Sequence, residues 1–193
     1  CAGQTPAAAA FADETTGAYT LAGLPPGHYR LRARSLGDAY IEEWWSAAGN
    51  AFNCMQAGVL APTSTDPLTD VHFRLDTGGA ISGTLYEADG VTPVTAPLAI
   101  EFYLYQSGST AACGTPLVTF TGPAADGSYR QALPAGNYFI RVNPTGTDYA
   151  FSWWTGTGGG NISCDAANLT TVQAGVEASG RNVRLPRAIA ISG

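Results

Sequence analysis

Lysine is absent from this 193-residue chain; all nine of its cations are arginine. Charge of either sign is scarce, at 12% of residues, which is about half the usual share. The balance is acidic, with a net charge of −6 and a pI near 4.7. A nucleic-acid binder needs a basic stripe, and none is present; an anionic membrane surface is disfavoured for the same reason. No apolar run approaches the roughly 18 residues of a membrane helix, the longest candidate being the short, alanine-rich Pro6 to Ala12. Histidine is limited to His28 and His72, both at outward strand positions and neither repeated. There is no Cys-x-x-Cys pair for zinc, no Gly-x-Ser-x-Gly elbow, and no Ser/His/Asp set that the pattern brings together. The glycine-rich stretch 156–160 has no lysine and no following helix, so it makes no phosphate cradle. The acidic pairs Asp13-Glu14 and Glu42-Glu43 and the stretch Asp66 to Asp70 match no defined calcium loop and read as polar loops. No catalytic residue, metal ligand or cofactor site is expected.

What is present is a repeat. Gly17-Ala18-Tyr19 recurs as Gly127-Ser128-Tyr129, and Leu24-Pro25-Pro26-Gly27-His28-Tyr29 as Leu133-Pro134-Ala135-Gly136-Asn137-Tyr138. Tyr40 with Trp44-Trp45 recurs as Tyr149 with Trp153-Trp154, and Ile81-Ser82-Gly83 as Ile191-Ser192-Gly193. Every pair lies 109 or 110 positions apart.

The four cysteines follow the same period. Cys1 and Cys113 each open a Gly-x-Thr-Pro or Gly-Thr-Pro stretch, and Cys54 and Cys164 each follow a Trp pair. Of the three pairings that four cysteines allow, the repeat selects Cys1–Cys54 and Cys113–Cys164. Each would close a loop of about 50 residues, worth roughly 4 kcal/mol in the chain-entropy model, and stable disulfides imply an oxidising compartment. Cys1 as a lipidated lipoprotein residue is the rival reading, and its match to the internal Cys113 speaks against it. An extracellular or cell-surface location follows.

The repeat frames the domains as 1–78, a first unit lacking its opening strands; 79–187, a second unit; and 188–193, the opening strand of a further repeat or a strand for donation. Nothing in the first unit corresponds to Ile81 to Ala112. Two arrangements reconcile this frame: a longer continuous chain, or subunits joined by strand donation. A tail that restores one strand and leaves the next unaccounted for favours the continuous chain.

Short segments alternate with period two, as half-buried strands do. Tyr29, Leu31 and Ala33 are expected inward against Arg30, Arg32 and Arg34. Tyr138, Ile140 and Val142 face inward against Phe139, Arg141 and Asn143. Leu98, Ile100, Phe102 and Leu104 form an inward row opposite Glu101, Tyr103 and Tyr105. Val71, Phe73 and Leu75 match Val183 and Leu185. Asp-Gly, Pro-Gly and Ala-Gly turns punctuate these runs, and no helical period is visible. The fold class is all-β, with tandem Ig-like or prealbumin-like sandwiches of about seven strands, each carrying one disulfide.

Gly-x-Tyr, then Leu-Pro-x-Gly-x-Tyr and an alternating strand, in a unit opening on Ile-Ser-Gly-Thr, resembles the carboxypeptidase-regulatory-like repeats. These stand beside the prealbumin-like and collagen-adhesin B-type sandwiches. The resemblance implies spacers, stalks and adhesion elements of secreted and surface proteins, with no catalytic residues to carry over. Relatives that lock their sheets with a Lys–Asn isopeptide bond differ here, because this chain has no lysine; a disulfide takes the stapling role.

Two functions follow, from different classes. The leading one is a non-catalytic structural repeat of an extracellular fibre, stalk or filament, whose partners are neighbouring repeats or subunits of the same protein. The alternative is a carbohydrate- or surface-binding adhesion module, with glycans as partners. It would use Trp44, Trp45, Trp153, Trp154, Tyr103 and Tyr105, one Trp of each adjacent pair being exposed because neighbours on a strand face opposite ways. Asn161-Ile-Ser and Asn168-Leu-Thr are glycosylation sequons flanking Cys164, a pattern common by chance and missing from the first unit.

Overall fold

The computed structural model describes residues 5–35, 40–49, 51–63, 66, 68–105, 116–144, 146–156 and 160–189. These fall into two compact units, one of Cys1–Ala33 with Glu42–Arg74 and one of Arg34–Ile41 with Leu75–Gly193. Secondary structure is β throughout: among the described residues there is no α-helix, and the one helical turn is the 3₁₀ segment Cys164–Ala166. No helix is long and apolar enough to cross a membrane among them.

The first unit holds β1 (Arg32–Ala33) and β2 (Glu43–Trp44), an antiparallel pair with Arg32 opposite Trp44. Single bridges join Tyr29 to Leu60 and Trp44 to Ala51.

The second unit holds β3 (Gly79–Glu87), β4 (Ala99–Leu104), β5 (Val118–Thr121), β6 (Ser128–Leu133), β7 (Gly136–Asn143), β8 (Ser152–Trp154), β9 (Gly160–Asn161), β10 (Thr170–Val172), β11 (Glu177–Ala178) and β12 (Val183–Leu185). One sheet runs β5-β4-β7-β8-β9, with β10 also on β7. The other is built on β3, which pairs antiparallel with β6 and parallel with β11 and β12. Alternation decides the faces. Tyr138, Ile140 and Val142 of β7 are fully buried, as are Ile100 and Phe102 of β4. Opposite them lie Ile81 and Leu85 of β3, Tyr129 and Leu133 of β6, and Val183 and Leu185 of β12. The rings of Phe102 and Tyr129 meet across the sheets at 6.4 Å. Each such side chain contributes roughly 1.5–3 kcal/mol through burial, so this unit is a two-sheet β-sandwich with its own core.

The repeated motifs have a physical content that both units share. Tyr29 Oη donates to the Pro25 carbonyl at 2.6 Å, and Tyr138 Oη to the Pro134 carbonyl at 2.9 Å. The ring folds back over the glycine two places earlier, lying 3.5 Å and 3.4 Å from where a Cβ would stand at Gly27 and Gly136. Leu-Pro-x-Gly-x-Tyr is therefore a corner: proline bends the chain, glycine leaves room for the ring, and the hydroxyl satisfies a turn carbonyl. Gly17 and Gly127 both take left-handed backbone (φ 70° and 78°), as the turns before Tyr19 and Tyr129 require. Pairings recur as well. Arg32 opposite Trp44 becomes Arg141 opposite Trp153, and Tyr29 opposite Leu60 becomes Tyr138 opposite Thr170. The bond from Gly58 N–H to the Trp45 carbonyl becomes that from Asn168 N–H to the Trp154 carbonyl.

The first unit departs from expectation in its burial. Tyr29 and Leu31, expected inward, are only half-buried, and the strand expected over 29–34 shortens to Arg32–Ala33. Phe73 forms no strand, although its counterpart Val183 lies in β12, which pairs with β3. The reason is common to all: among the described residues this unit contains no counterpart of β3, β4 or β5, and no second sheet faces its inward side chains there. In the second unit Leu104 is exposed, contrary to its place in the inward row, because the β4 pairing with β7 ends there, opposite Tyr138.

Candidate functional site

The residues expected to bind or interface lie in three places. Trp153 and Tyr103 come together on the outer face of the second unit, their ring centroids 5.0 Å apart. Trp154 turns the other way and joins the core. Trp44 and Trp45 lie in the first unit, both half-buried. Trp153 and Trp154 are 2% and 7% exposed, so neither Trp of this pair is the solvent-facing platform expected from strand alternation. The alternation itself holds; the outer face is covered by its own side chains. Tyr103 is likewise buried, whereas Tyr105 remains exposed and meets Phe139 edge-on at 6.0 Å.

What covers Trp153 is a charged cluster. Strand register sets Glu101, Arg141 and Trp153 in one row across β4, β7 and β8. The Arg141 guanidinium lies between two rings, 5.3 Å from the centroid of Tyr103 and 5.4 Å from that of Trp153. Its Nη2 and Nε both donate to Glu101 Oε2 at 2.6 Å. Tyr103 Oη donates to the same oxygen at 2.8 Å, and Asn143 Nδ2 donates to Glu101 Oε1 at 3.1 Å. Burial pushes the Glu101 carboxyl up, but the bonds from Arg141, Asn143 and Tyr103 outweigh it and hold the group below its ordinary value. Burial, and then the neighbouring carboxylate, push the Tyr103 hydroxyl well above its ordinary value. A carboxylate with both oxygens engaged is a poor proton acceptor, and a guanidinium flanked by two rings is positioned to clamp strands together.

The alternation places Glu101 and Arg141 at outward positions; the structure makes Glu101 7% exposed and Arg141 half-buried. A signal for this was present: opposite charges and aromatic residues at matched outward positions of neighbouring strands. Glu43, read with Glu42 as polar loop, is instead fully buried in β2, while Glu42 pairs with Arg32 at 3.1 Å in the open. Asp13 and Asp89 cap turns, each accepting from the backbone N–H groups two and three residues on. Among the described residues no three His, Cys, Asp or Glu side chains gather as a metal-holding group.

Cys54 and Cys164 are each disulfide-bonded, and their expected partners Cys1 and Cys113 lie outside the described residues. Asn161 and Asn168 are exposed. Asn161 Oδ1 accepts from the Ser163 N–H at 2.8 Å, and Asn168 Nδ2 donates to the Thr155 carbonyl at 2.8 Å. A shallow depression of about 530 Å³ beside β3 and β6 is lined by Ser82, Thr84, Phe120, Tyr129, Arg130 and Asn182. Its polar groups already serve one another: Ser82 and Arg130 both bond Glu177, and Asn182 Oδ1 accepts from the Thr84 N–H at 2.9 Å.

No protein-family model matches the chain, and no curated protein does. Among solved structures it is similar to two pilins. One is GBS52, the minor pilin of the gram-positive pathogen Streptococcus agalactiae, at 16% identity over 79% of this chain and 70% of that one, with a TM-score of 0.36. The other is a streptococcal ancillary pilin, at 14% identity over 86% of this chain and 43% of that one, with a TM-score of 0.37. Likenesses this slight carry no function across.

The cluster thus spends its polar groups on itself. Glu101, Arg141, Tyr103 and Trp153 join the outer faces of three strands into one block, a mechanical arrangement in which both carboxylate oxygens of Glu101 accept hydrogen bonds from their neighbours.

Proposed function

We propose that this chain is a non-catalytic structural segment of an extracellular or cell-surface fibre, stalk or filament, made of repeats 1–78 and 79–187 of one β-sandwich unit. The observation that carries the reading is the recurrence, in both units, of the same tyrosine corner, the same Arg–Trp register and the same Trp carbonyl bond. Repetition of one scaffold without a repeated ligand-facing side chain suits a load-bearing array. Cys1–Cys54 and Cys113–Cys164 would staple each copy in an oxidising compartment. The partners are neighbouring repeats or subunits of the same protein.

Electron microscopy of the native material with an antibody to this chain is the test. Ordered filaments carrying the label at a regular spacing are the expected result. A dispersed protein that is pulled down by polysaccharide, and released by Trp45→Ala, would overturn the structural reading in favour of an adhesion module.

A further inference from the structure

We propose that Asn161 carries an N-linked glycan and that Asn168, at the head of the second sequon, does not. The inference rests on the extracellular part of the fibre reading, because N-glycans are borne by secreted chains. The sequence treats the two sites alike: Asn161-Ile162-Ser163 and Asn168-Leu169-Thr170 both fit the acceptor pattern. The structure separates them.

Asn161 closes β9 and pairs with Trp153 of β8. Its neighbour Gly160 turns inward, where a Cβ would overlap the Arg184 carbonyl, so Asn161 turns outward. Asn161, Ile162 and Ser163 are all exposed. Asn161 Oδ1 accepts from the Ser163 N–H at 2.8 Å, an Asx turn that fixes the side-chain amide. Nδ2 has no hydrogen-bond partner among the described residues. Among those residues β9 is also the last strand of its sheet, an edge where a bulky polar group discourages pairing with another chain.

Asn168 is built into the fold instead. Its N–H donates to the Trp154 carbonyl at 3.0 Å, and its Nδ2 to the Thr155 carbonyl at 2.8 Å. The same Nδ2 packs against Gly156, where even a methyl group would overlap it. Thr170, the hydroxyl residue of this sequon, is buried, and its Oγ1 accepts from Arg181 Nε at 3.1 Å. The Arg181 guanidinium lies in turn 5.1 Å from the centroid of the core residue Trp154. A sugar on Asn168 would have to displace Nδ2 from this turn, whereas a sugar on Asn161 displaces no contact of the described residues. The first unit offers no equivalent site. Trp44 bridges to Ala51 as Trp153 pairs with Asn161, and Ala51 is buried.

The donor required is an oligosaccharide joined through its C1 to a lipid diphosphate. Asn161 Nδ2 attacks C1 and the C1–O bond breaks. The lipid diphosphate leaves with the bonding pair, and Nδ2 gives up one proton.

Peptide mapping of the native full-length chain tests the assignment, after an amidase that releases N-glycans has acted in heavy-oxygen water. Each released asparagine becomes a labelled aspartate. Label is expected at 161 and not at 168. Ser163→Ala, a change at an exposed side chain, should abolish the label, and Ser163→Thr should keep it. An unmodified Asn161 peptide, or label at Asn168, would overturn the proposal. So would a glycan on Asn161 that survives Ser163→Ala, since attachment would then not follow the sequon. Filaments with bare Asn161 would leave the fibre reading standing and remove this site alone; a glycosylated chain that forms no filaments would do the reverse.

Discussion

The two units make the same local bonds and differ in what those bonds enclose. Tyr29 and Tyr138 close the same corner onto a proline carbonyl, and Arg32 and Arg141 sit opposite the first Trp of their pairs. Yet Tyr138 is fully buried while Tyr29 is half-exposed. Corners and short registers are set by residues near one another in sequence: a proline, a glycine, a ring and its hydroxyl. Burial is set by a facing sheet, and among the described residues only the second unit has one, through β3 and its neighbours. Motif and core are thus separable, and single substitutions at matched positions measure each separately.

The core difference should give the largest effect. Ile140 lies fully buried in β7 between Tyr138 and Val142. Ile140→Asp puts an unpaired charge there and should abolish the second unit's thermal transition, a loss of more than about 4 kcal/mol. Leu31, its match, is half-buried, and Leu31→Asp should leave that transition intact. Equal damage from both variants would mean that the first unit has a closed core after all.

Disulfide reduction comes next. If Cys1–Cys54 and Cys113–Cys164 close loops of about 50 residues, each loss costs roughly 4 kcal/mol. The expected order under titrated reductant is first unit, then second, because among the described residues the sandwich core belongs to the second. Non-reducing peptide mapping checks the pairing directly, and a Cys54–Cys113 peptide would refute it.

Much of this contrast was legible in the residues. Period-two alternation marks Tyr138, Ile140, Val142, Ile100 and Phe102 as inward, and the structure buries them all. Inner faces are readable because each strand declares them alone. Alternation misleads where an outer face also becomes covered: it sets Glu101 and Arg141 outward and one Trp of the pair 153–154 in solvent, but register across three strands assembles Glu101, Arg141 and Trp153 into a cluster. That is a property of pairing between strands, invisible in any one of them. Leu31 shows the converse failure: its own strand marks it as inward, and with no facing sheet among the described residues it stays half-exposed.

The cluster itself offers a third contrast. Arg32–Glu42 is open to solvent, its side chains 41% and 42% exposed, whereas the side chain of Glu101 is 9% exposed beneath Arg141. Glu42→Gln should cost under about 1 kcal/mol, as surface pairs do, and Glu101→Gln about 2–3 kcal/mol, as hydrogen-bonded buried charges do. The pH dependence has a definite sign. The folded carboxyl of Glu101 is held below the ordinary 4.5, so the unfolded chain takes up the proton first. Its stabilisation is complete above that ordinary value and is lost as pH falls through the depressed one. The gap in melting temperature between wild type and Glu101→Gln should be constant from neutral pH to about pH 5 and close below it. A gap that persists undiminished in acid would show that the carboxylate charge contributes nothing.

The smallest effect isolates the corner from the core. Tyr138→Phe and Tyr29→Phe each remove one hydroxyl and leave the ring in place over its glycine. In the second unit the donor lies in a fully buried side chain, and burial alone raises its proton affinity. Without it the Pro134 carbonyl, on a half-buried residue, has little water to turn to, so the loss should be about 1–1.5 kcal/mol. In the first unit Pro25 is exposed, water replaces the hydroxyl, and the loss should be under about 0.5 kcal/mol. Denaturant midpoints for the two variants, each compared with its own unit's transition, test the ratio. Equal losses would mean that the Tyr29 corner is as dry as the Tyr138 corner.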